Sequence, residues 1–351
     1  MNKTLVIIGN GFDINHGYKT SAKHFQSNLD ASEYRIFEEK HLSMDWSAKG
    51  TPEWWSQYEQ RVGEAFVTIR IADDRLDIDS STYTWGSFLD YANETYDHLA
   101  SQITEYLRQE YANNSIASTT INSNLLQLLC HPNKIVAISF NHTETAKRYG
   151  IEVYHIHGSL LEDNIVMGFD HVGDMRDYRQ GDISDVDEWP LIRRNKRYQR
   201  ILMEFKRYCK RKDYDSKEIT DGLEMLERYL DNRDVSLSGE PLSVVPNDFS
   251  LKLVLSFLKE TKIDLDNGLI PFIPYLDIKR IVILGHSLDA DQRLLDEILS
   301  KCRYVRKVTI FRHEKETDDE WNKKVAYFKR LGLYRHHRKK RNRIKFVCKY
   351  Y

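Results

Sequence analysis

The sequence predicts an α/β protein built on a Rossmann-like, mostly parallel sheet that carries large helical insertions. Three observations predict it. Short apolar runs rich in β-branched residues stop at a glycine or a polar cluster, as Leu5-Val6-Ile7-Ile8 stops at Gly9. Stretches with apolar residues three and four apart separate these runs. Strands joined by helical crossovers form a parallel sheet with helices on both faces.

Taken in order, residues 134–140, 280–284 and 307–311 read as further buried strands, and residues 153–156 and 165–169 as shorter ones. Helical spacing is expected over residues 21–40, 54–69, 85–107, 187–209, 218–230, 249–258, 291–299 and 319–331. The strands are unevenly spread. One domain over residues 1–351 with helical insertions at about 27–130 and 171–275 accounts for the gaps, and the segment Ser236-Leu237-Ser238-Gly239-Glu240-Pro241 reads as a loop.

Composition narrows the function. Of 351 residues, 41% are hydrophobic, enough for a sizeable core, and the formal net charge of -1 gives no global field toward nucleic acid or membrane. Cys130, Cys209, Cys302 and Cys348 are scattered, which reads as reduced thiols rather than a disulfide framework or zinc ribbon. The apolar run after Met1 ends at Gly9, too short for a signal peptide, and no run approaches a membrane span. A cytoplasmic protein with no membrane partner is expected.

Gly9-Asn10-Gly11-Phe12-Asp13 places G-x-G directly after the first strand, where glycines permit a tight turn and close approach of a phosphate to amide N–H groups. Ile14 stands where the dinucleotide fingerprint needs its third glycine, which disfavours an ordinary nicotinamide dehydrogenase. A bare turn needs none of the polar groups Asn10, Asp13, Asn15 and His16 beside it. Three more strands end alike, in Ser139-Phe140-Asn141-His142-Thr143, His155-Ile156-His157-Gly158-Ser159 and Gly285-His286-Ser287-Leu288-Asp289. In a parallel sheet these ends line one cleft.

Asn141 suits an amide or ribose hydroxyl, His157 a general base, and Gly285 with Ser287 a second phosphate cradle. Structural readings stay open for each: Asn141 and Ser287 as helix caps, His157 as a core histidine. His155 and His157, two apart, would face one side of a strand. With His142, Asp170 or His286 they suggest a metal set, but no H-x-x-x-H or H-E-x-x-H spacing supports it, and no metal is expected.

The blocks Ile8-Gly9-Asn10-Gly11-Phe12-Asp13 and His16-Gly17-Tyr18-Lys19-Thr20-Ser21 with Phe25 resemble the N-terminal signature of the AbiH family of bacteriophage abortive infection proteins. The later blocks Phe140-Asn141-His142-Thr143, His155-Ile156-His157-Gly158 and Gly285-His286-Ser287-Leu288 with Asp291 follow in the family's order, and Trp55 with Glu59 resembles its W-x-x-x-E helix. His142 departs from the family's tyrosine. The block order is also similar to sirtuin-like NAD-binding domains. That resemblance implies NAD as ligand or substrate, with Gly9, Asn10, Gly11, Phe12, Asp13, Thr20, Gly285 and Ser287 around it, Asn141 orienting the ribose and His157 as base. Sirtuin zinc-binding cysteine pairs are missing, which favours NAD hydrolysis over deacetylation.

Three functions are therefore carried forward: an NAD-hydrolysing defence effector answering a phage-derived trigger, a nucleic-acid-acting toxin, and a non-catalytic nucleotide sensor. The toxin reading rests on Arg193-Arg194-Asn195-Lys196-Arg197 and Arg335-His336-His337-Arg338-Lys339-Lys340-Arg341-Asn342-Arg343, runs that more often are solvated surface. A homo-oligomer is compatible with all three.

Overall fold

A computed structural model gives the structure of the protein and describes residues 3–37, 85–113, 122–129, 135–162, 165–166, 196–235, 249–263, 278–288, 291–302, 304–313, 316–331 and 344–350. Six strands form one sheet: β1 (Lys3–Ile8), β2 (Ile135–Ser139), β3 (Val153–His155), β4 (Ile278–Leu284), β5 (Lys307–Arg312) and β6 (Lys345–Tyr350). Their order is β3-β2-β1-β4-β5-β6, and every neighbouring pair is parallel. The chain thus reverses its direction of travel across the sheet between β1 and β4, the position where α/β proteins open a crevice at their strand ends. Ile8 pairs with Ser139 on one side and Leu284 on the other, which brings the ends of β1, β2 and β4 to one level.

The helices are α1 (Asn10–Asn15), α2 (Ala22–Asn28), α3 (Ala31–Phe37), α4 (Trp85–Asn113), α5 (Ser123–Leu129), α6 (Lys196–Arg211), α7 (Ser216–Val235), α8 (Phe249–Thr261), α9 (Gln292–Ser300) and α10 (Asp318–Arg330), with a 3-10 turn at Thr145–Tyr149. Alternate strand residues feed two cores. Leu5, Ile7, Ile138, Ile281 and Ile283 meet Leu295, Ile298 and Phe328 of α9 and α10 on one face. Val6, Ile8, Ala137, Val282 and Leu284 meet Phe12, Leu125, Leu129 and Tyr149 on the other. Both faces are covered, so the strands are apolar without alternation, and each fully buried Leu or Ile contributes about 1.5–3 kcal/mol. Helices α6, α7 and α8 carry a third core around Phe205, Leu226, Val254 and Phe257.

The α/β reading and five of the strands match the sequence expectation. Strand β6 was not anticipated, because Phe346-Val347-Cys348 lies between lysines just after the basic run and shows no glycine stop. The expected helix over 21–40 divides at Leu29, whose ψ of 136° is extended. Asp30 there accepts the amides of Ser32 and Glu33, each at 2.8 Å, and so opens a new helix. Residues 165 and 166 lie outside any strand, while 167–169, the expected helix at 54–69 with Trp55 and Glu59, the segments 187–195 and 236–241, and the run at 335–343 lie outside the described residues. Among the described residues no helix is long and apolar enough to cross a membrane.

Candidate functional site

The loops after β1 and β4 touch backbone to backbone. The Gly9 amide donates to Leu284 O and the Gly11 amide to Gly285 O, both at 2.9 Å. A Cβ on Gly9 would lie 2.7 Å from His286 Cα, and one on Gly285, whose φ is +63°, would lie 2.0 Å from Phe12 N. Any side chain at these positions would force the loops apart, so the packing alone requires the glycines. The two glycine amides expected to cradle a phosphate already serve neighbouring carbonyls. Asn10, exposed at the start of α1, is locked to Thr20 by two hydrogen bonds: its Nδ2 donates to Thr20 O and its Oδ1 accepts from Thr20 Oγ1. Phe12 turns away into the core.

Helix α4 clamps the segment that follows. Glu110 accepts the Lys19 amide at 2.7 Å, Tyr106 donates to the Lys19 carbonyl at 2.7 Å, and Tyr111 stacks on Tyr18. His16 ties α1 to the 3-10 turn. Its Nδ1 lies 2.7 Å from Phe12 O and its Nε2 2.5 Å from the Tyr149 hydroxyl, and burial lowers its pKa. The neutral ring that results donates to the carbonyl and accepts from the phenol.

On this side of the sheet the ends of β1, β2 and β3 share a buried polar network. Asp13 accepts from Thr143 Oγ1 at 2.6 Å, and burial pushes its pKa up to about 6 against the opposing pull of Thr143, Thr145, His155 and Asn141. Asn141 donates through Nδ2 to Gly9 O at 3.0 Å, which ties β2 to the glycine loop, while its own carbonyl accepts from His155 Nδ1 at 2.8 Å. The other nitrogen of His155 lies 3.3 Å from Glu144. Burial would raise the Glu144 pKa, but His155 and Lys147 outweigh it and bring it to about 2.

His157 does not join them. Strand β3 ends at His155, and Gly158, with φ +75°, turns the chain, so the two histidines leave the alternation expected of a strand. His157 Nε2 instead lies 3.1 Å from Asp291 Oδ2, with both side chains almost fully buried. Asp291 occupies the N-cap position of α9 but makes no capping bond, and its φ of +55° is left-handed. Leu288 three residues earlier is also left-handed, at +71°. Two non-glycine residues in that region mark a loop held at an energetic cost, which is common where geometry serves a function. The ring of Phe140 stands edge-on between His157 and His286, at 5.6 and 4.5 Å. Burial drives the His286 pKa down to about 4, against a smaller upward pull from Asp291, and its Nδ1 accepts the Leu288 amide at 2.9 Å.

An ionised carboxylate only accepts hydrogen bonds, so the proton in the His157–Asp291 contact sits on Nε2. Nδ1 is buried and has no partner among the described residues, so in the neutral ring it is the nitrogen that carries the lone pair. The structure therefore brings Gly9, Asn10, Asp13, Thr20, Asn141, His157 and Gly285 to the carboxyl edge of the sheet but distributes them over two networks. Ser287 is exposed on the β4 loop. Among the described residues no group of three His, Cys, Asp or Glu is placed to hold a metal. Sequence reasoning gave no role to Asp291, Glu144 or the threonine pair. Only the position of Asp291, shortly after Gly285-His286-Ser287-Leu288, hinted at the first.

Residues 5–313 match the family model described as Bacteriophage abortive infection AbiH. The chain belongs to the AbiH family. Neither a curated protein nor a solved structure matches it. The matched span runs from β1 to just past β5, so both polar networks of this AbiH protein lie inside it, while β6 follows it.

Proposed function

We propose that this AbiH protein acts in phage defence by binding a phosphate-bearing nucleotide, NAD, at the strand-end cleft and hydrolysing its nicotinamide–ribose bond. The observation that carries the reading is the buried His157–Asp291 pair beside the loops of Gly9 and Gly285. An imidazole oriented by a carboxylate through one nitrogen offers the other as a general base. In the reaction His157 Nδ1 takes a proton from water as the water oxygen bonds to the ribose C1′. The bond to nicotinamide breaks, and nicotinamide leaves neutral with the bonding electrons, giving ADP-ribose. The exposed start of α1 receives the phosphates, where the helix end favours negative charge, while the Asn10 side chain stays bonded to Thr20. Asn141 holds the glycine loop in place rather than contacting the ribose, because its amide already serves Gly9.

Intact NAD measured by mass spectrometry in phage-infected cells tests this directly. Loss of NAD in cells expressing wild type, and not in cells expressing His157→Ala, is the expected result. Undiminished NAD in both, with protection retained, overturns it. NAD bound by purified protein without turnover would leave the sensor function instead.

A further inference from the structure

The opposite, amino-terminal edge of the sheet carries a feature that the strand-end cleft does not use. Arg280 of β4 pairs in register with Lys307 of β5, and Lys307 with Lys345 of β6. Residues in register on neighbouring strands share a face, so three cations stand in a row, about 4.8 Å from strand to strand. Like charges directly opposite each other destabilise a sheet. Among the described residues no carboxylate forms an ion pair with any of the three. Lys307 shows the strain: its pKa is lowered by burial and then by the positive charges of Arg280, Lys345 and Lys349.

Lysines on an edge strand have a simple purpose, since they discourage edge-to-edge aggregation. That accounts for Lys345 on β6. It does not account for Arg280 and Lys307, which lie on interior strands with neighbours on both sides. The same edge of the sheet carries two further basic residues, Lys279 and Arg306, each next in sequence to a member of the row. Arg306 is exposed and its backbone links the strand starts, donating to Lys279 O at 2.9 Å and accepting from the Lys345 amide at 3.0 Å. Tyr304, 48% exposed, lies under the Lys279 ammonium at 4.4 Å. In sequence, the basic run Arg335-His336-His337-Arg338-Lys339-Lys340-Arg341-Asn342-Arg343 ends two residues before Lys345.

The geometry points to a docking surface for single-stranded nucleic acid, with Arg280, Lys307 and Lys345 tracking the phosphates and Tyr304 offering a stacking face to a base. Charge complementarity selects a polyanion, since one bound anion cannot satisfy a row roughly 10 Å long. The exposed aromatic at the same edge, three residues before Lys307 in sequence, selects a single strand, whose bases are free to stack, over a duplex or an anionic bilayer. The proposal is independent of the NAD reaction at the other edge, and its test reads binding alone.

Fluorescence anisotropy of a labelled oligothymidylate of about twelve nucleotides, titrated with the full-length protein over a range of salt, tests it. Wild type binds, and its affinity falls steeply as salt rises. The triple variant Arg280→Gln/Lys307→Gln/Lys345→Gln loses about tenfold or more in affinity, and its salt slope drops by about 2, three phosphate contacts at roughly 0.7 each. Tyr304→Ala weakens the oligothymidylate and leaves its salt slope unchanged. The triple variant also melts no lower than wild type, because the row repels itself, so lost binding cannot be put down to lost folding. Unchanged affinity in the triple variant overturns the proposal, as does wild type that binds phosphatidylserine vesicles but no oligonucleotide. Equal binding of a duplex of the same length, with no effect of Tyr304→Ala, overturns the single-strand assignment.

Discussion

His157 and Asp291, 134 residues apart in the chain, meet at 3.1 Å behind the carboxyl edge of the sheet. A histidine that simply filled the core would not require an unusual backbone in its neighbour, yet Asp291 holds a left-handed φ while pairing with it. The pair is expected to act as a unit. His157→Ala and Asp291→Asn should each cut NAD hydrolysis by about 100-fold or more and abolish phage protection, and the double variant should be no worse than either single one. Plating efficiency and NAD consumption measured on all three variants check this. Full activity in Asp291→Asn would show that the contact is only structural.

Gly285 is expected to be the least replaceable glycine of the strand-end loops. In Gly285→Ala the new methyl group would lie 2.0 Å from Phe12 N at a φ of +63°, and neither loop can retreat without breaking the Gly11-to-Gly285 hydrogen bond. A loss of about 3 kcal/mol or more is expected from thermal or urea unfolding. Gly150→Ala is the control. Its φ is +68° but nothing lies within 4 Å of the added carbon, so only the backbone cost of about 1 kcal/mol should remain. Equal losses in the two variants would mean that conformation, not loop contact, decides both.

The sheet was legible because parallel strands covered on both faces leave unbroken apolar runs, and β1, β2, β4 and β5 announce themselves that way, while β3 shows only as the short stretch at 153–156. Strand β6 was hidden because lysines at 345 and 349 interrupt its apolar run, as befits an edge. Of the candidate site, the gathering of polar residues at the strand ends was legible and the hydrogen bonds among them were not. Gly9 and Gly11 carry the same sequence signal whether they receive a phosphate or the backbone of another loop. Only the position of Gly285 separates the two demands. The partners of His155 and His157 were out of reach for a similar reason. Both depend on where β3 stops, and a strand boundary shifted by two residues changes which network each histidine joins.

Two buried groups should make the acid response of stability flatter than either alone would. Asp13 has its pKa raised from 3.8 to about 6 by burial, so its contribution is fully present below pH 3.8 and is lost as pH rises through about 6. His286 has its pKa lowered from 6.5 to about 4, so its contribution is present above pH 6.5 and is lost as pH falls through about 4. Each shift amounts to about 3 kcal/mol, with opposite sign over the same window. Asp13→Asn, which keeps an oxygen for Thr143, should therefore steepen the loss of stability on acidification, and His286→Asn should reverse it. Urea midpoints between about pH 5 and 6.5 read both, clear of Glu144, whose pKa of about 2 affects only more acid conditions. Parallel profiles for wild type and both variants would show that neither group carries the assigned shift.

Arg207 grips the histidine segment from outside the sheet. Its Nη1 donates to Glu204 at 2.6 Å, and Glu204 in turn accepts from the Tyr154 hydroxyl of β3 at 2.7 Å. Nε and Nη2 of Arg207 both reach Glu162, on the far side of His157. One side chain of α6 thus brackets residues 154–162. Removing it strands Glu204, a carboxylate only 1% exposed, without its cation. The cost of breaking such a buried pair, about 3–5 kcal/mol, exceeds what the intact pair adds. Arg207→Met should lose stability on that scale, and Arg207→Met/Glu204→Gln should recover part of it because the buried charge is gone. The bracket on Glu162 is not restored by the second change, so amide hydrogen exchange over residues 155–162 should stay faster than wild type in the double variant. If exchange returns to the wild-type rate together with stability, Arg207 acts on Glu204 alone, and the histidine segment is held by β2 rather than by α6.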